Sequence, residues 1–200
     1  MDFEEVVRSR RMTRSFLTDP IPDSAIDSLI DLASRAPSAG KTQGLHVIAL
    51  QGDSLARFWD VSFPEGERRN FKWPGLFNAP VVTLWLADPD AYVARYAESD
   101  KSHTGLGSSA NDWPTPYWTV DASMALGTFL LAVESARLGA LLFAVFNNVE
   151  QVRKVFGIRD PLQILGAVAV GVPARDAAPK GVSAVRPRRT VSEIIHRDKW

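Results

Sequence analysis

The sequence contains no cysteine, and this absence removes several kinds of chemistry at once. Disulfide bonds, cysteine-ligated metals and a thiol nucleophile are all excluded. Histidine is scarce as well, because His46, His103 and His196 are widely separated and none belongs to a spaced metal-binding motif. We therefore expect no metal site. The Gly-x-Ser-x-Gly elbow that marks many serine hydrolases is also missing.

The chain also lacks an excess of charge, since 23 lysines and arginines balance 23 acidic residues. Without a net field, the protein as a whole does not attract nucleic acid or an anionic membrane. The longest strongly apolar stretch, residues 122–133, is too short to span a bilayer and is followed by Glu134. The first five residues are acidic and do not have the layout of a signal peptide. We expect a cytoplasmic protein that binds neither nucleic acid nor a membrane.

What the chain does contain is a regular alternation of amphipathic helices and apolar strands. Its 200 residues, 46% of them hydrophobic, are enough for one globular domain with a substantial core. The patterns predict helices over residues 2–11, 23–36, 54–61, 89–97, 117–138 and 149–156, and strands over residues 46–51, 81–87, 141–146 and 164–172. Residues 62–78 read as irregular and residues 98–116 as a long polar loop. The alternation predicts an α+β or α/β fold with a helix-covered sheet.

Two of these elements have no polar face. The continuous apolar run of residues 81–87 is typical of a strand buried on both sides. The helix over residues 117–138 is apolar on more than one face, so we expect it to be buried all round, in part against a second protomer.

Arginine is concentrated near the N-terminus, in Arg10, Arg11 and Arg14, just before Phe16. The guanidinium group carries a permanent charge and a planar fork of donors that matches pairs of phosphate or carboxylate oxygens. We interpret this arginine segment, residues 10–16, as the phosphate site of a cofactor. The arginine-rich tail could supply the other side of the same site. The alternative is a solvated basic surface, which is the usual role of clustered charges.

With these segments in place, the chain resembles the nitroreductase family of flavin enzymes. The likeness rests on an ordered set of motifs: residues 10–16, the loop of residues 36–43, the helix around Asp121, Leu138-Gly139 before a strand, and residues 188–195. It implies an α+β fold of three layers, with helices covering a central mixed sheet and a long central helix at a dimer interface. It also implies one flavin-binding domain over residues 1–200, whose arm, residues 174–200, reaches the partner subunit.

The resemblance further implies an obligate homodimer with shared active sites and two molecules of FMN at its interface. The residues implied to bind the phosphate and ribityl end lie in the arginine segment and the tail: Arg10, Arg11, Met12, Arg14, Arg186, Arg188 and Arg189. Those implied to lie beside the flavin of the neighbouring subunit are Pro37, Ser38, Ala39 and Gln43. Backbone amides implied to meet the flavin ring belong to Ala144, Val145, Phe146 and Asn147.

The sequence departs from the family at several of these positions. Met12 stands where the family commonly has serine, Lys41 where it has asparagine, and Gly44-Leu45 where it has Pro-Trp. The family's asparagine before the second strand has no clear match, and Lys72 lies nearest to it. We place Lys41 in the substrate pocket together with three aromatic residues, Trp113, Tyr117 and Trp118. Those three could instead form an aromatic corner that packs the long loop onto the helix.

The activity that the resemblance implies is an FMN-dependent oxidoreductase. NAD(P)H would deliver hydride and leave, and a flat small-molecule acceptor such as a nitroaromatic or a quinone would then take the electrons, in a ping-pong sequence. Because the cofactor supplies the chemistry, no catalytic acid–base pair is required of the protein. Two alternatives stay open at this point: a protein of the same fold that uses flavin or deazaflavin in a specialised reaction, and a flavin-binding protein for storage or sensing.

Overall fold

The computed structural model describes residues 1–174 and 186–200 of the chain. Its helices are α1 (Phe3–Ser9), α2 (Asp23–Ser34), α3 (Gly52–Ser62), α4 (Glu65–Arg69), α5 (Pro89–Tyr96), α6 (Tyr117–Ser135) and α7 (Val149–Phe156). Its strands are β1 (Leu45–Leu50), β2 (Val81–Ala87), β3 (Gly139–Phe143) and β4 (Gln163–Gly171). Short 3-10 turns occupy parts of the connecting loops.

The four strands form one sheet in the order β1-β2-β4-β3, and each neighbouring pair is antiparallel. Helices cover this sheet, so the α+β class is confirmed. The resemblance implies a mixed sheet, whereas all neighbouring strands of the described sheet are antiparallel. The reason is that α7 and its flanking turns return the chain to the end where β3 finished, so β4 runs back beside it. Parallel pairing occurs, within the described residues, only as an isolated bridge between Met12 and Ala140.

Strand β2 lies at the centre of the core, and all seven of its residues are buried. Val82, Leu84 and Leu86 belong to a hydrophobic cluster that also contains residues of α3 and α7. On the opposite face Trp85 packs against Phe129 of α6, with ring centres 4.9 Å apart. The prediction of a strand buried on both faces over residues 81–87 is therefore confirmed.

Helix α6 is the longest helix and ends at Ser135, three residues before the predicted end. Its buried positions pack on the sheet and on α2. Within one protomer Tyr117, Val120 and Met124 are about 40% exposed, so the burial of this side against a second protomer stays a prediction. These three side chains form an apolar stripe at helical spacing. The helix is hydrophobic on this side without a covering element from the described part of its own chain.

Several element boundaries differ from the sequence prediction. Residues 62–78 contain helix α4 and a 3-10 turn, Pro74–Asn78, where an irregular segment was expected. Strand β3 begins at Gly139 and ends at Phe143, so residues 144–147 follow the strand. Near the C-terminus the structure has a 3-10 turn, Val191–Glu193, that the sequence prediction does not include. These short pieces carry weak periodic signals, because a single turn gives no repeat to count.

The arginine segment lies along the edge of the sheet beside β3 and then follows the end of β4. Thr13 donates its backbone N–H to Ala140 at 2.8 Å, and Leu17 donates to Val172 at 2.9 Å. A glycine permits this approach, since a Cβ atom at Gly139 would lie 2.6 Å from the Thr13 hydroxyl oxygen. Residues 10–16 are thus held by backbone pairing and by tight packing.

Residues 186–200 are exposed along their whole length. Among the residues described, the side-chain hydrogen bonds of this tail join it only to itself, as between Thr190 and Glu193. Its apolar side chains, including Ile194 and Trp200, are open to solvent. None of the helices in residues 1–174 and 186–200 combines the length and hydropathy that a bilayer-spanning segment needs.

We expect Gly139→Ala to lower the free energy of unfolding by about 1–3 kcal/mol, the usual effect of overpacking a tight contact. The added methyl would overlap Thr13 and displace the arginine segment. Gly66→Ala is the matched control, because a Cβ at Gly66 in α4 meets nothing within 4 Å. Urea unfolding of both variants measures the difference. Equal stability of the two would contradict this docking of residues 10–16.

Candidate functional site

The three arginines of the arginine segment have different environments. Arg11 donates to the backbone oxygens of Arg8, Ser9 and Arg10, at 2.6–3.0 Å, and so caps the end of α1. Arg14 donates to the Met12 oxygen at 3.2 Å. Neither these two nor Arg10 forms an ion pair with a carboxylate of the described residues. The segment is therefore a local concentration of uncompensated positive charge.

Arg10 has a buried donor atom that is unsatisfied in the protomer. Its Nη1 atom is shielded from solvent and has no hydrogen-bond partner among the described residues. A buried donor on a charged group is costly unless an acceptor completes it, and charge-assisted hydrogen bonds are the strong kind. The geometry of Arg10 thus suits a negatively charged ligand group.

Two cations meet on one aromatic ring next to this segment. The Arg14 guanidinium lies 5.0 Å from the centre of the Trp73 ring, and the Lys72 ammonium lies 5.5 Å from it. Cation–π attraction of this kind holds a positive group over the ring face. Trp73 therefore gathers positive charge beside the arginine segment, an arrangement that sequence reasoning did not foresee beyond noting Lys72.

The tail arginines and the arginine segment make no contact through described side-chain hydrogen bonds. Arg189 donates to the Glu193 backbone oxygen, and Arg186 and Arg188 are exposed. The stretch that joins the tail to the domain, residues 175–185, lies outside the described residues. A shared phosphate site built from both segments stays a prediction.

The loop between α2 and β1 has an unusual backbone. Gly40, Lys41 and Gln43 all have left-handed φ angles, 62°, 54° and 56°. Left-handed backbone is unfavourable for residues other than glycine and persists where surrounding contacts hold it. The Ser38 hydroxyl accepts from the Gln43 N–H at 3.1 Å, and Thr42 donates to the Ala39 oxygen at 2.6 Å. We call residues 37–43 the strained loop.

A buried carboxylate fixes the start of the strained loop. Asp121 of α6 is 5% exposed, and its Oδ2 atom accepts from the Ala39 N–H and from the Tyr92 hydroxyl, both at 2.7 Å. Burial, and then the bond to Asp121, raise the pKa of Tyr92 well above its usual value, so Tyr92 stays a donor. Gly44 makes room for this tyrosine, because a Cβ there would lie 2.7 Å from the ring. The resemblance singled out the helix around Asp121, but the sequence gave no sign of Tyr92.

A second tie holds the middle of the strained loop. Arg95 of α5 donates from Nε to the Gly40 oxygen at 2.9 Å, and its two terminal nitrogens bind the Asp100 carboxylate at 2.7 and 2.8 Å. The hydrogen bonds from Arg95 lower the pKa of Asp100 to about 2, so this ion pair persists at physiological pH. The loop of residues 98–116 is thereby tied to the strained loop. Sequence reasoning missed Arg95, whose role depends on long-range contact.

Two cavities border the strained loop. One, of about 230 Å³, is mostly apolar, and Leu45, Ala122, Tyr92 and Asp121 are among its lining residues. The other, of about 570 Å³, is open and polar, and Lys41 lies in its wall. Pro37, Ser38 and Gln43 of the strained loop line both spaces.

The three aromatic residues assigned to a substrate pocket occupy different positions. Trp113 and Trp118 are 9% and 6% exposed and belong to a core cluster with Tyr92. Their indole N–H groups are used internally, on the Leu106 oxygen at 2.9 Å and on Gln163 at 3.1 Å. Within the protomer these two tryptophans pack the long loop onto α6, while Tyr117 is 43% exposed.

The backbone after β3 offers free donors. The N–H groups of residues 144–147 make no hydrogen bond to any described residue. The segment is largely exposed, with Phe146 at 86%. It could therefore donate to a ligand, as the resemblance implies. Metal chemistry has no comparable support, because the described residues hold no group of three or more histidine and acidic side chains placed to bind an ion.

The two candidate segments lie at opposite edges of the sheet. The arginine segment pairs with β3, the edge strand on one side, whereas the strained loop leads directly into β1, the edge strand on the other. With neighbouring strands about 4.8 Å apart, three intervals put these edges roughly 14 Å apart. One protomer therefore does not bring the arginine segment and the strained loop together.

We expect Tyr92→Phe to lower the free energy of unfolding by about 1.5–3 kcal/mol, the usual contribution of a hydrogen bond to a charged group. The ring would keep its place against Gly44, while Asp121 would lose one of its two donors. Tyr96→Phe is the matched control, because the Tyr96 hydroxyl bonds to no described residue. A cost equal to that of the control would contradict the role of the Tyr92–Asp121 bond.

Burial of Tyr92, together with its bond to Asp121, makes the stability of the protein fall at alkaline pH because both raise the pKa of Tyr92. Below about pH 10, tyrosine is protonated in the folded and unfolded states, so the contribution of Tyr92 is complete. Above that pH the unfolded chain releases the proton while folded Tyr92 retains it, so the free energy of unfolding falls. Denaturant titrations across this range should show a shallower fall for Tyr92→Phe than for the unchanged protein.

The sequence matches a family model and is similar to known proteins. The family model described as the Nitroreductase family matches residues 7–172. The chain is 44% identical over 220 residues to a 4-nitrobenzoate reductase of Pseudomonas putida, covering 98% of this chain and 95% of that protein. It is 26% identical over 200 residues to an FMN reductase of Bacillus subtilis, covering 98% of this chain and 74% of that protein.

Solved structures share the fold. A nitroreductase family protein from Streptococcus pneumoniae superposes with a TM-score of 0.73 at 19% identity, over 98% of this chain and 100% of that chain. One from Clostridium difficile gives a TM-score of 0.72 at 17% identity, over the full length of both chains. The family model spans most of the sequence and the curated relative most of both proteins, so this chain belongs to the nitroreductase family of oxidoreductases.

Proposed function

We propose that this protein binds FMN, accepts electrons from NAD(P)H and reduces flat nitroaromatic acceptors, in a homodimer whose two sites are shared between subunits. The observation that carries this proposal is the buried donor of Arg10, which has no partner among the described residues and lies within a cluster of arginines that form no ion pair with them. Family membership supports the choice of flavin, and the printed names of an FMN reductase and a 4-nitrobenzoate reductase support the cofactor and the acceptor class.

The residues present fit the phosphate of FMN. The Arg10 guanidinium has a donor free for an anion, whereas Arg11 already uses its Nη1 atom on backbone oxygens of its own turn. We assign the main phosphate contact to Arg10, and supporting charge to Arg11 and to the tail arginines, Arg186, Arg188 and Arg189. Met12 contributes no hydroxyl and pairs through its backbone with Ala140.

The cations on Trp73 would serve a second purpose. When bound, FMN supplies the two-electron chemistry, and its reduced form carries negative charge on the polar side of the ring. Arg14 and Lys72, gathered on Trp73, are placed to stabilise such a charge electrostatically. The free N–H groups of residues 144–147 would orient the ring by hydrogen bonding. No side chain needs to act as an acid or base for this role.

The separation of the two candidate segments supports the homodimer. The arginine segment and the strained loop lie at opposite edges of one sheet, which favours a site that combines the two segments from two copies of the chain. Apolar surface is available for such an interface on α1, on α6 and in the tail. The exposed side chains are Phe3, Val7, Tyr117, Val120, Met124, Val191, Ile194, Ile195 and Trp200. We propose that residues 174–200 form an arm that reaches the partner subunit.

The reaction balances with the named reactants. A nitro group, one NAD(P)H and one proton give a nitroso group, NAD(P)⁺ and water, which is a two-electron reduction. A second NAD(P)H and a second proton convert the nitroso group to a hydroxylamine. In both steps the protein's residues bind and orient the reactants, and the proton comes from solvent.

We expect the purified protein to take up FMN and to lose its visible flavin absorbance when NADPH or NADH is added under nitrogen. Addition of 4-nitrobenzoate should then restore the absorbance, because the acceptor removes the electrons. Free FMN at the same concentration is the control for uncatalysed reduction. The proposal fails if the protein binds no flavin, or if bound flavin stays oxidised with both nucleotides.

We expect Arg10→Gln to weaken FMN binding by about ten- to a hundredfold, the effect of losing a charge-assisted hydrogen bond. Riboflavin, which lacks the phosphate, should bind equally well to Arg10→Gln and to the unchanged protein. Arg11→Gln is the matched variant and should have a smaller effect on FMN. Flavin fluorescence titration measures each of these affinities. An equal loss for FMN and riboflavin would show that Arg10 supports the fold instead of the phosphate.

A further inference from the structure

Lys41 occupies a backbone position that a lysine rarely takes. Its φ angle is 54°, in the left-handed region that glycine and asparagine adopt most readily. A lysine there costs free energy relative to either of those residues. Strain of this kind at a particular residue points to a use for its side chain.

The surrounding structure holds Lys41 in that conformation from both sides. On the N-terminal side, Ala39 is bound to Asp121, and the Gly40 oxygen accepts from Arg95. On the C-terminal side, the Gln43 N–H is bound to the Ser38 hydroxyl. The direction in which the Lys41 side chain leaves the backbone is therefore set by tertiary contacts.

The charge of Lys41 is uncompensated in the cavity that it lines. The ammonium group forms no hydrogen bond or ion pair with a described residue, and the side chain is exposed. The other cation in the wall of this 570 Å³ cavity, Arg35, is paired with Asp31 at 3.1 Å. The cavity thus carries the net positive charge of one lysine.

We infer that Lys41 is a specificity-determining residue that binds an anionic substituent, such as a carboxylate, on the nitroaromatic acceptor. This inference rests on the proposed function, in which the strained loop of one subunit lies beside the flavin of the other. A lysine ammonium is a compact cation that suits a single carboxylate, and its long side chain reaches across an open cavity. The nitro group then lies away from Lys41, toward the flavin.

The test compares two acceptors that differ only in charge, 4-nitrobenzoate and its methyl ester. We expect Lys41→Asn to raise the KM for 4-nitrobenzoate by roughly five- to tenfold, with little change in kcat, because a charge-assisted contact is lost. The KM for the ester should stay unchanged. Lys41→Arg should restore most of the affinity for the acid. Lys101→Asn is the control for the loss of one lysine charge outside the strained loop, because the Lys101 ammonium lies over the Tyr96 ring.

Two further measurements do not depend on turnover. Calorimetric titration of the oxidised, FMN-loaded protein with 4-nitrobenzoate, in the absence of NAD(P)H, should show the same loss of affinity in Lys41→Asn. Thermal unfolding of Lys41→Asn should show unchanged or higher stability, because asparagine tolerates the left-handed backbone better.

The outcomes separate the inference from the proposed function. Equal effects of Lys41→Asn on the acid and the ester, or no effect on either, would overturn the role of Lys41. If the unchanged protein reduces neither compound with NADH or NADPH, the proposed function fails. The calorimetric comparison still decides in that case whether Lys41 binds the carboxylate.

Discussion

Strand β2 must be covered on both faces, and the arrangement of the rest of the chain follows from that constraint. Val82, Leu84 and Leu86 require one apolar layer, and Val81 and Trp85 require another. Burying seven consecutive residues removes a large apolar area from water, which is the main favourable term in folding. Helices α3 and α7 lie on one side and helices α2 and α6 on the other. With both faces occupied by helices, only the edges and ends of the sheet are free for ligands.

Each edge of the sheet carries a cation without a partner among the described residues of its own protomer. Arg10 precedes the segment that pairs with β3, and Lys41 precedes β1. An unpaired buried donor and a lysine in left-handed backbone are both unfavourable for the isolated chain. Elsewhere in the described structure, the partly buried cations Arg95 and Arg153 are paired with acids. At Arg10 and at Lys41 an unfavourable local feature therefore lies where a cofactor or an acceptor is proposed to bind.

The Asp121 carboxylate connects the strained loop to the core. It lies on α6, which packs on β2, and it receives donors from α5 and from the strained loop. A buried carboxylate is tolerable only when hydrogen-bonded, so its two donors are required together. The ion pair between Arg95 and Asp100 adds the loop of residues 98–116 to the same assembly. That long loop consequently supports the strained loop. Its Trp113 is buried in the core cluster that contains Tyr92.

Local patterns in the sequence determined the central elements and the place of positive charge. The bounds of β2 and α7, the start of α2 and the concentration of arginine in residues 10–16 follow from periodicity, capping residues and composition, which act over a few residues. Tertiary structure decided what depends on distant partners: the antiparallel order of the strands, the exposed stripe on α6, the bond between Tyr92 and Asp121, and the tie from Arg95 to Gly40. It also decided that Lys41 adopts a left-handed backbone, since contacts from α5 and α6 hold the strained loop. Hydrogen bonds between residues 29 to 82 positions apart produce no periodic pattern in the sequence, because they form only when the chain has folded.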